Sequence, residues 1–417
     1  INVALTSDLD ADGLNEIIVG SNTGSIYIIY RETTFTNTFD GSIISLYTTD
    51  INGDNDKEVL CGSNSGVIHI LDYRGKLITQ KSISSKALIS LLANDFDNDK
   101  SIEIAALDHL GYLCIMNSSL QTEWQYNFSS ESLKLLSARI NSSPPPELIL
   151  VTFSEIHCLG FNSSYSSWDS IWNHSSRYNM TDLDVVDIDL DGYDEIIYGG
   201  LSCYVVILKN DSSLLRLITY TVNCEKILSD DLDGDGNPET IITDTMRVLF
   251  LFNDSGYLIF NYSVRVKSRL ILVGDINDDG TRDIILALEN NTILAFNMNG
   301  TLILNYSISS DLHDAVIFDP DDDNLLEIVA ATSDGVYIIN SSGKLETKLL
   351  ENTNVTCISF GDLYSLGHDS LTAGLSNGSI ISYDLPTITI QKVDFNYGAV
   401  SDIIVDKFGF SSDNILL

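Results

Sequence analysis

The sequence predicts an all-β chain folded as a β-propeller, built from four-stranded antiparallel blades of about 44 residues. An acidic motif recurs at that period, each period holds four short apolar runs, and helical spacing is nowhere sustained. The motif first reads Asp8-Leu-Asp10-Ala-Asp12-Gly13-Leu-Asn-Glu16 and returns from Asp50, Asp95, Asp187, Asp231, Asp275 and Asp319. Degraded forms begin at Arg139, Asp362 and Asp406, and successive starts lie 42 to 48 residues apart.

The second period shows the elements in order. A strand is predicted from Ile43 to Thr48, then the acidic loop, then a strand from Glu58 to Gly62. A Ser-Asn-x-Gly turn leads to a third strand, Val67 to Leu71, and a turn over Asp72 to Gly75 leads to a fourth, Leu77 to Ile83. Runs such as Glu16 to Val19 and Ile26 to Ile29 are apolar on consecutive positions. That pattern suits a sheet covered on both faces, as a blade is between two neighbours. Residues 1–417 read as one continuous array of nine periods and a partial tenth. The chain starts in a first strand (Ile1 to Leu5) and stops in a second (Asn414 to Leu417), so truncated ends are expected, and one unusually large ring, one ring plus part of another, and a cut from a longer array all fit. A junction between two rings, if there are two, is expected near 160–180, in the Ser/Asn-rich stretch Asn162 to Asn179.

Composition narrows the function. The net charge is −37 with only 19% charged residues, which disfavours nucleic acid or an anionic membrane surface as partner and points to cations. No apolar run reaches the roughly 18 residues that cross a bilayer. The six cysteines form no CxxC pair, so neither a zinc site nor a disulfide scaffold is expected. Buried free thiols are expected instead, with Cys203 and Cys224 the pair to test for a bridge.

Carboxylates on alternate residues of a turn need something positive between them. Two of them about 4 Å apart repel by roughly 4 kcal/mol at an effective dielectric of 20. A hard divalent cation removes that cost and takes six to eight oxygen ligands. The spacing fits this, with acids at positions 1, 3, 5 and 9 and a backbone carbonyl at position 7. Glycine at position 6 (Gly13, Gly192, Gly236, Gly280) permits the positive φ of a tight turn. The expected Ca2+ ligands are Asp8, Asp10, Asp12 and Glu16; Asp50, Asn52, Asp54 and Glu58; and Asp95, Asp97, Asp99 and Glu103, where Lys100 replaces the glycine. They continue with Asp187, Asp189, Asp191 and Glu195; Asp231, Asp233, Asp235 and Glu239; Asp275, Asn277, Asp279 and Asp283; and Asp319, Asp321, Asp323 and Glu327. A single Asp-Gly turn would say little, because such turns are common without metal. Seven in register specify about seven structural sites, and the loops at Arg139, Asp362 and Asp406 are expected not to bind.

With this repeated D-x-D-x-D-G-x-x-[DE] motif the whole chain resembles the FG-GAP/VCBS repeats of the integrin α-subunit N-terminal propeller superfamily. The resemblance implies calcium in the loop joining first and second strands, and ligand binding on the opposite face. The blades are shorter than integrin blades and lack the Phe-Gly/Gly-Ala-Pro signature. The period is closer to microbial surface repeats and to propellers of some eukaryotic scaffold complexes.

Fifteen Asn-x-Ser/Thr sequons occur, all from Asn117 onward. They recur in the turn between third and fourth strands (Asn117, Asn162, Asn210, Asn253, Asn299, Asn340) and in the fourth strand (Asn127, Asn261, Asn305). Turn-forming Asn explains the first slot equally well; Asn in a strand has no turn to make. Glycosylation and an extracellular or cell-surface location are the expectation.

No histidine neighbours a nucleophile or carboxylate in a catalytic pattern, so no enzyme is expected. Trp168 and Trp172, in the polar stretch, either form a binding surface or pack on a blade edge. The leading function is a calcium-stabilised extracellular propeller for adhesion, ligand binding or assembly of a surface layer or filament. Its partner would be a protein or glycan, or copies of itself, with membrane attachment only through an anchor outside this sequence. An intracellular interaction scaffold and an accessory domain of a secreted enzyme are the alternatives.

Overall fold

A computed structural model describes residues 3–30, 33–141, 146–163, 167–201, 204–219, 223–321, 323, 325–361, 370–384 and 389–394, with backbone alone for 384 and 389–394. These residues form nine four-stranded sheets, each with its strands hydrogen-bonded in chain order, the blades of a propeller. Every pairing within a blade is antiparallel, as in Ile43–Thr49 with Glu58–Ser63. Blades 1 to 9 span 3–38, 43–82, 88–127, 132–175, 180–219, 224–263, 268–307, 312–349 and 355–394. The expected partial tenth period lies outside the described residues, as do the degraded loops at Asp362 and Asp406.

Burial explains the apolar runs. Second strands such as Glu58–Ser63, Glu195–Gly200 and Glu239–Asp244 are buried at every position. Fourth strands such as Leu77–Ser82 alternate half-buried and exposed residues, because they form the rim. The core is divided: each junction between successive blades has its own apolar cluster, from Ile18, Ile28, Val59 and Leu71 between blades 1 and 2 to Val329, Ile338, Leu371 and Ile381 between blades 8 and 9. Close approach demands small residues: a Cβ on Gly199 would lie 2.7 Å from Cys224 Cβ in the next blade.

First strands of successive blades run side by side and are bridged by side chains. Ser45 donates to the Leu88 carbonyl at 2.9 Å. Asp182 and Asp184 accept from the Ile227 and Ser229 amides at 2.8 and 2.7 Å, and Asp314 accepts from Ile358 at 2.9 Å. Burial pushes the Asp184 carboxyl up to about 6.

The Ser/Asn-rich stretch is a long fourth strand, Ser167–Ser175, of blade 4. Trp168 is buried against Phe96 and Phe161, and Trp172 donates its indole N–H to the Asn210 carbonyl at 2.7 Å. Both tryptophans therefore hold blades together. Cys61, Cys114 and Cys158 are buried free thiols, each pushed up by burial, while Cys203 lies outside the described residues.

Candidate metal centres

Each acidic loop joins the first strand of a blade to the second and is built by the same hydrogen bonds. The position 1 carboxylate accepts the position 6 amide: Asp8 from Gly13 at 3.0 Å, Asp50 from Asn55 at 3.0 Å, Asp95 from Lys100 at 2.9 Å. Asp187, Asp231 and Asp275 do the same with Gly192, Gly236 and Gly280 at 2.9 Å. Position 6 has positive φ whichever residue occupies it: 86° at Gly13, 92° at Gly192, but also 77° at Asn55 and 74° at Lys100. Position 5 accepts the position 7 amide in all seven loops, from Asp12 with Leu14 to Asp323 with Leu325, both at 2.8 Å.

Position 9 opens the second strand and is buried. Its carboxylate turns back to the position 2 amide: Glu16 to Leu9 at 2.8 Å, Glu58 to Ile51 at 2.9 Å, Glu103 to Phe96 at 2.8 Å. Glu195, Glu239 and Asp283 bond Ile188, Leu232 and Ile276 at 3.1, 3.0 and 3.2 Å. Position 2 is a buried apolar side chain in most loops (Leu9, Phe96, Ile188, Leu232, Ile276), which pins the loop into the core. The eighth loop has Pro320 there, which carries no N–H. Glu327 Oε2 is accordingly left without a partner, although the residue is only 2% exposed.

Five loops bring carboxylate oxygens within 4.8 Å of one another: Asp8, Asp10 and Glu16; Asp95, Asp97 and Asp99; Asp187, Asp189 and Glu195; Asp231, Asp233 and Glu239; and Asp319, Asp321, Asp323 and Glu327. Several of these oxygens are buried with no hydrogen-bond partner: Asp8 Oδ1, Asp10 Oδ1, Glu195 Oε1 and Glu327 Oε2. Burial, and the neighbouring loop carboxylates after it, raise the position 9 carboxyls above the usual carboxylate range. Glu16 and Glu327 are pushed up to about 8, Glu103, Glu195 and Glu239 to about 7, and Asp283 to about 6. An oxygen-lined cluster that is desolvated, anionic and short of donors has the chemistry of a hard-cation site.

The other two loops carry Asn at position 3 and are closed differently. Asn52 Nδ2 donates to Glu58 Oε1 at 2.9 Å, and Asn277 Nδ2 to Asp283 Oδ1 at 3.4 Å. The degraded loop at Arg139 keeps this latch, Asn141 to Glu147, together with the bond from the Ile140 amide to Glu147 at 2.9 Å. A neutral amide thus does locally what a cation would do, and the position 9 acid has a backbone role independent of metal. Position 3 carries the signal for this in the sequence, because Asn offers amide N–H donors beside its oxygen. Lys209 was also missed: its Nζ lies 3.0 Å from Asp189 Oδ2 and offers the fifth-blade loop an internal cation.

The nine sequon asparagines named above are all half-buried or exposed, and Asn127, Asn261 and Asn305 are exposed on fourth strands. In the turn slot, Asn117, Asn253 and Asn340 also use their own Oδ1 to accept turn amides.

No family model matches the chain, and no curated protein matches it. Solved structures do. The exotype rhamnogalacturonan lyase YesX is 12% identical with a TM-score of 0.58, covering 95% of this chain and 82% of its own. Sqt1 of Saccharomyces cerevisiae is 12% identical at 0.56, covering 80% and 96%, and BamB of Moraxella catarrhalis is 16% identical at 0.51, covering 80% and 94%. The likeness is one of fold. At these identities a lyase and two differently named proteins share the architecture, and function has to be argued from this chain's own sites.

Proposed function

We propose that the chain is a non-enzymatic extracellular β-propeller stiffened by structural calcium, with FG-GAP/VCBS-like repeats, serving adhesion, ligand binding or surface assembly. The observation that carries the calcium is the set of buried, unpartnered carboxylate oxygens inside loops repeated in register. Calcium would be held by positions 1, 3, 5 and 9 of the seven loops, and its role there is to neutralise the converging charge and fix the loop. The oxygen-only donor set suits Ca2+ rather than zinc or copper, which favour His or Cys.

The extracellular location is supported by solvent-facing sequon asparagines, above all Asn261 and Asn305 on rim strands; Asn127, at the end of its strand, also accepts the Ser129 amide at 2.8 Å. Numerous weak sites also suit millimolar external calcium. A non-catalytic role is supported by the histidines: His69 is stacked on Phe39 and bonded to Gln80, and His174 is bonded to Tyr198.

Mass spectrometry of the native protein tests both halves. About seven calcium ions per chain and N-glycans on the rim strands are expected. A chain that retains no calcium loses the metal half; an unmodified protein from its native source loses the extracellular half.

A further inference from the structure

Blade 8 carries a carboxylate that the loop motif does not count. Its third strand, Gly335–Ile339, and fourth, Leu345–Leu349, pair Ile338 with Thr347 but Ile339 with Leu345, so Glu346 is the extra residue of a β-bulge. Bulges re-aim side chains at the ends of sheets. The register fixes which end this is: Ile328, next to Glu327, pairs with Ile339, which pairs with Leu345. Glu346 therefore stands at the loop end of its own blade, three strands out from the loop's start. Asn340 Nδ2 donates to its Oε1 at 2.9 Å and orients the group.

The same bulge recurs in other blades with Ile78, Ile259 or Ile303 as the extra residue. An apolar residue is thus sufficient for the backbone, and a glutamate there calls for another reason. We propose that Glu346 is an additional ligand of the eighth-blade cation site, supplied by the rim strand to a loop that already gathers Asp319, Asp321, Asp323 and Glu327. The inference rests on the calcium reading above.

One observation beyond the gathering of acids supports it. Glu327 is 2% exposed and its Oε2 has no hydrogen-bond partner, because Pro320 denies it the amide used in the other loops. This loop alone among the described clusters brings four carboxylate oxygens together. Blade 3 places a carboxylate, Glu123, at the same bulge position. Ligand charge count tunes calcium affinity, so blades 8 and 3 are the tightest sites of the array.

Calcium titration of the metal-stripped full chain tests this, with Glu346→Gln compared against Glu351→Gln, an exposed acid in the connection to blade 9. Glu346 is exposed, so its variant is expected to fold. The expected result is about a tenfold affinity loss at one tight site for E346Q, an unchanged number of sites, and no loss for E351Q. In an Asp321→Ala background, which removes the position 3 ligand of the same site, E346Q is expected to add nothing. Identical isotherms for E346Q and E351Q, or full additivity of E346Q with D321A, would overturn the proposal. A wild-type chain that takes up no calcium would instead overturn the reading on which it rests.

Discussion

Arg282 Nη1 sits 2.5 and 2.7 Å from the two carboxylate oxygens of Asp230, tying the acidic loop of blade 7 to the strand that enters the loop of blade 6. The Arg282 amide also donates to the Leu232 carbonyl at 2.7 Å, and Leu232 is the residue whose own amide bonds Glu239. The first two loops are linked the same way: the Lys57 amide donates to the Leu9 carbonyl at 2.7 Å, and Lys57 Nζ to Ser7 at 3.0 Å. At these two junctions the loops of neighbouring blades are therefore joined by a backbone bond from position 8 of one to position 2 of the other. The Arg282 side chain is half exposed, so solvent screens its pair. Arg282→Gln is expected to destabilise by no more than about 1 kcal/mol, with the loss shrinking at high salt. Urea melts at low and high salt check this; a loss independent of salt would mean that packing, not charge, is what Arg282 supplies.

Lys100 holds a left-handed backbone with φ of 74° at the position where four other loops place glycine. Lys100→Gly is expected to stabilise the chain by roughly 0.5–1 kcal/mol, since the strained conformation is relieved at some cost in unfolded-state entropy. Gly192→Lys, at a position with open space around an added Cβ, is expected to lose about 1 kcal/mol for conformational reasons alone. Equilibrium unfolding of the two variants checks the pair, and a shift of the same sign in both would contradict it.

The amide latches give a contrast between two loops. Asn141→Asp would set a carboxylate against Glu147 in a loop that lacks the other ligands, at an expected cost of about 1–3 kcal/mol with or without calcium. Asn277→Asp makes the same clash with Asp283, but there Asp275 and Asp279 complete a cation set. Its cost is expected in chelator only, with calcium restoring stability. Thermal melts in chelator and in calcium separate the two, and equal rescue of both would be the wrong outcome.

Much of this was legible in the sequence because the repeat fixes register. The strand Val67–Leu71 falls where the apolar run placed it, and Glu16, Glu58 and Glu103 open second strands as the motif required. What could not be read was which atoms meet across a blade. Glu346 lies nineteen positions past Glu327 and enters only through a bulge, which periodicity does not reveal. Trp168 stood in a polar stretch, and only the strand Ser167–Ser175 turns it inward against Phe96. The role of the position 9 acid as a backbone latch needed the hydrogen bonds themselves.

The position 9 acids set a pH dependence of definite sign. In the metal-free fold burial raises them to between about 6 and 8, above an unfolded value of about 4.3. The folded chain then binds protons more tightly than the unfolded one, so this stability is fully present at low pH and is lost as pH rises through that window. The melting temperature in chelator is expected to fall from pH 5 to pH 8. Protons and calcium compete for the same oxygens, so the gain from calcium is expected to widen over the same range. Calorimetry across the range checks this, and a metal-free melt that climbs toward pH 8 would contradict it.

Calcium as the brace of the array is tested most directly by one pair of melts at pH 7.5, in millimolar calcium and in excess chelator. Binding to the folded chain alone adds about 0.4–1.4 kcal/mol per site at one to ten times Kd, the range that millimolar calcium reaches at weak sites. Seven sites should therefore raise the melting temperature by many degrees, and Asp233→Ala should remove only the share belonging to its own blade, because each junction has a separate core. Superimposable melts in calcium and in chelator would contradict it.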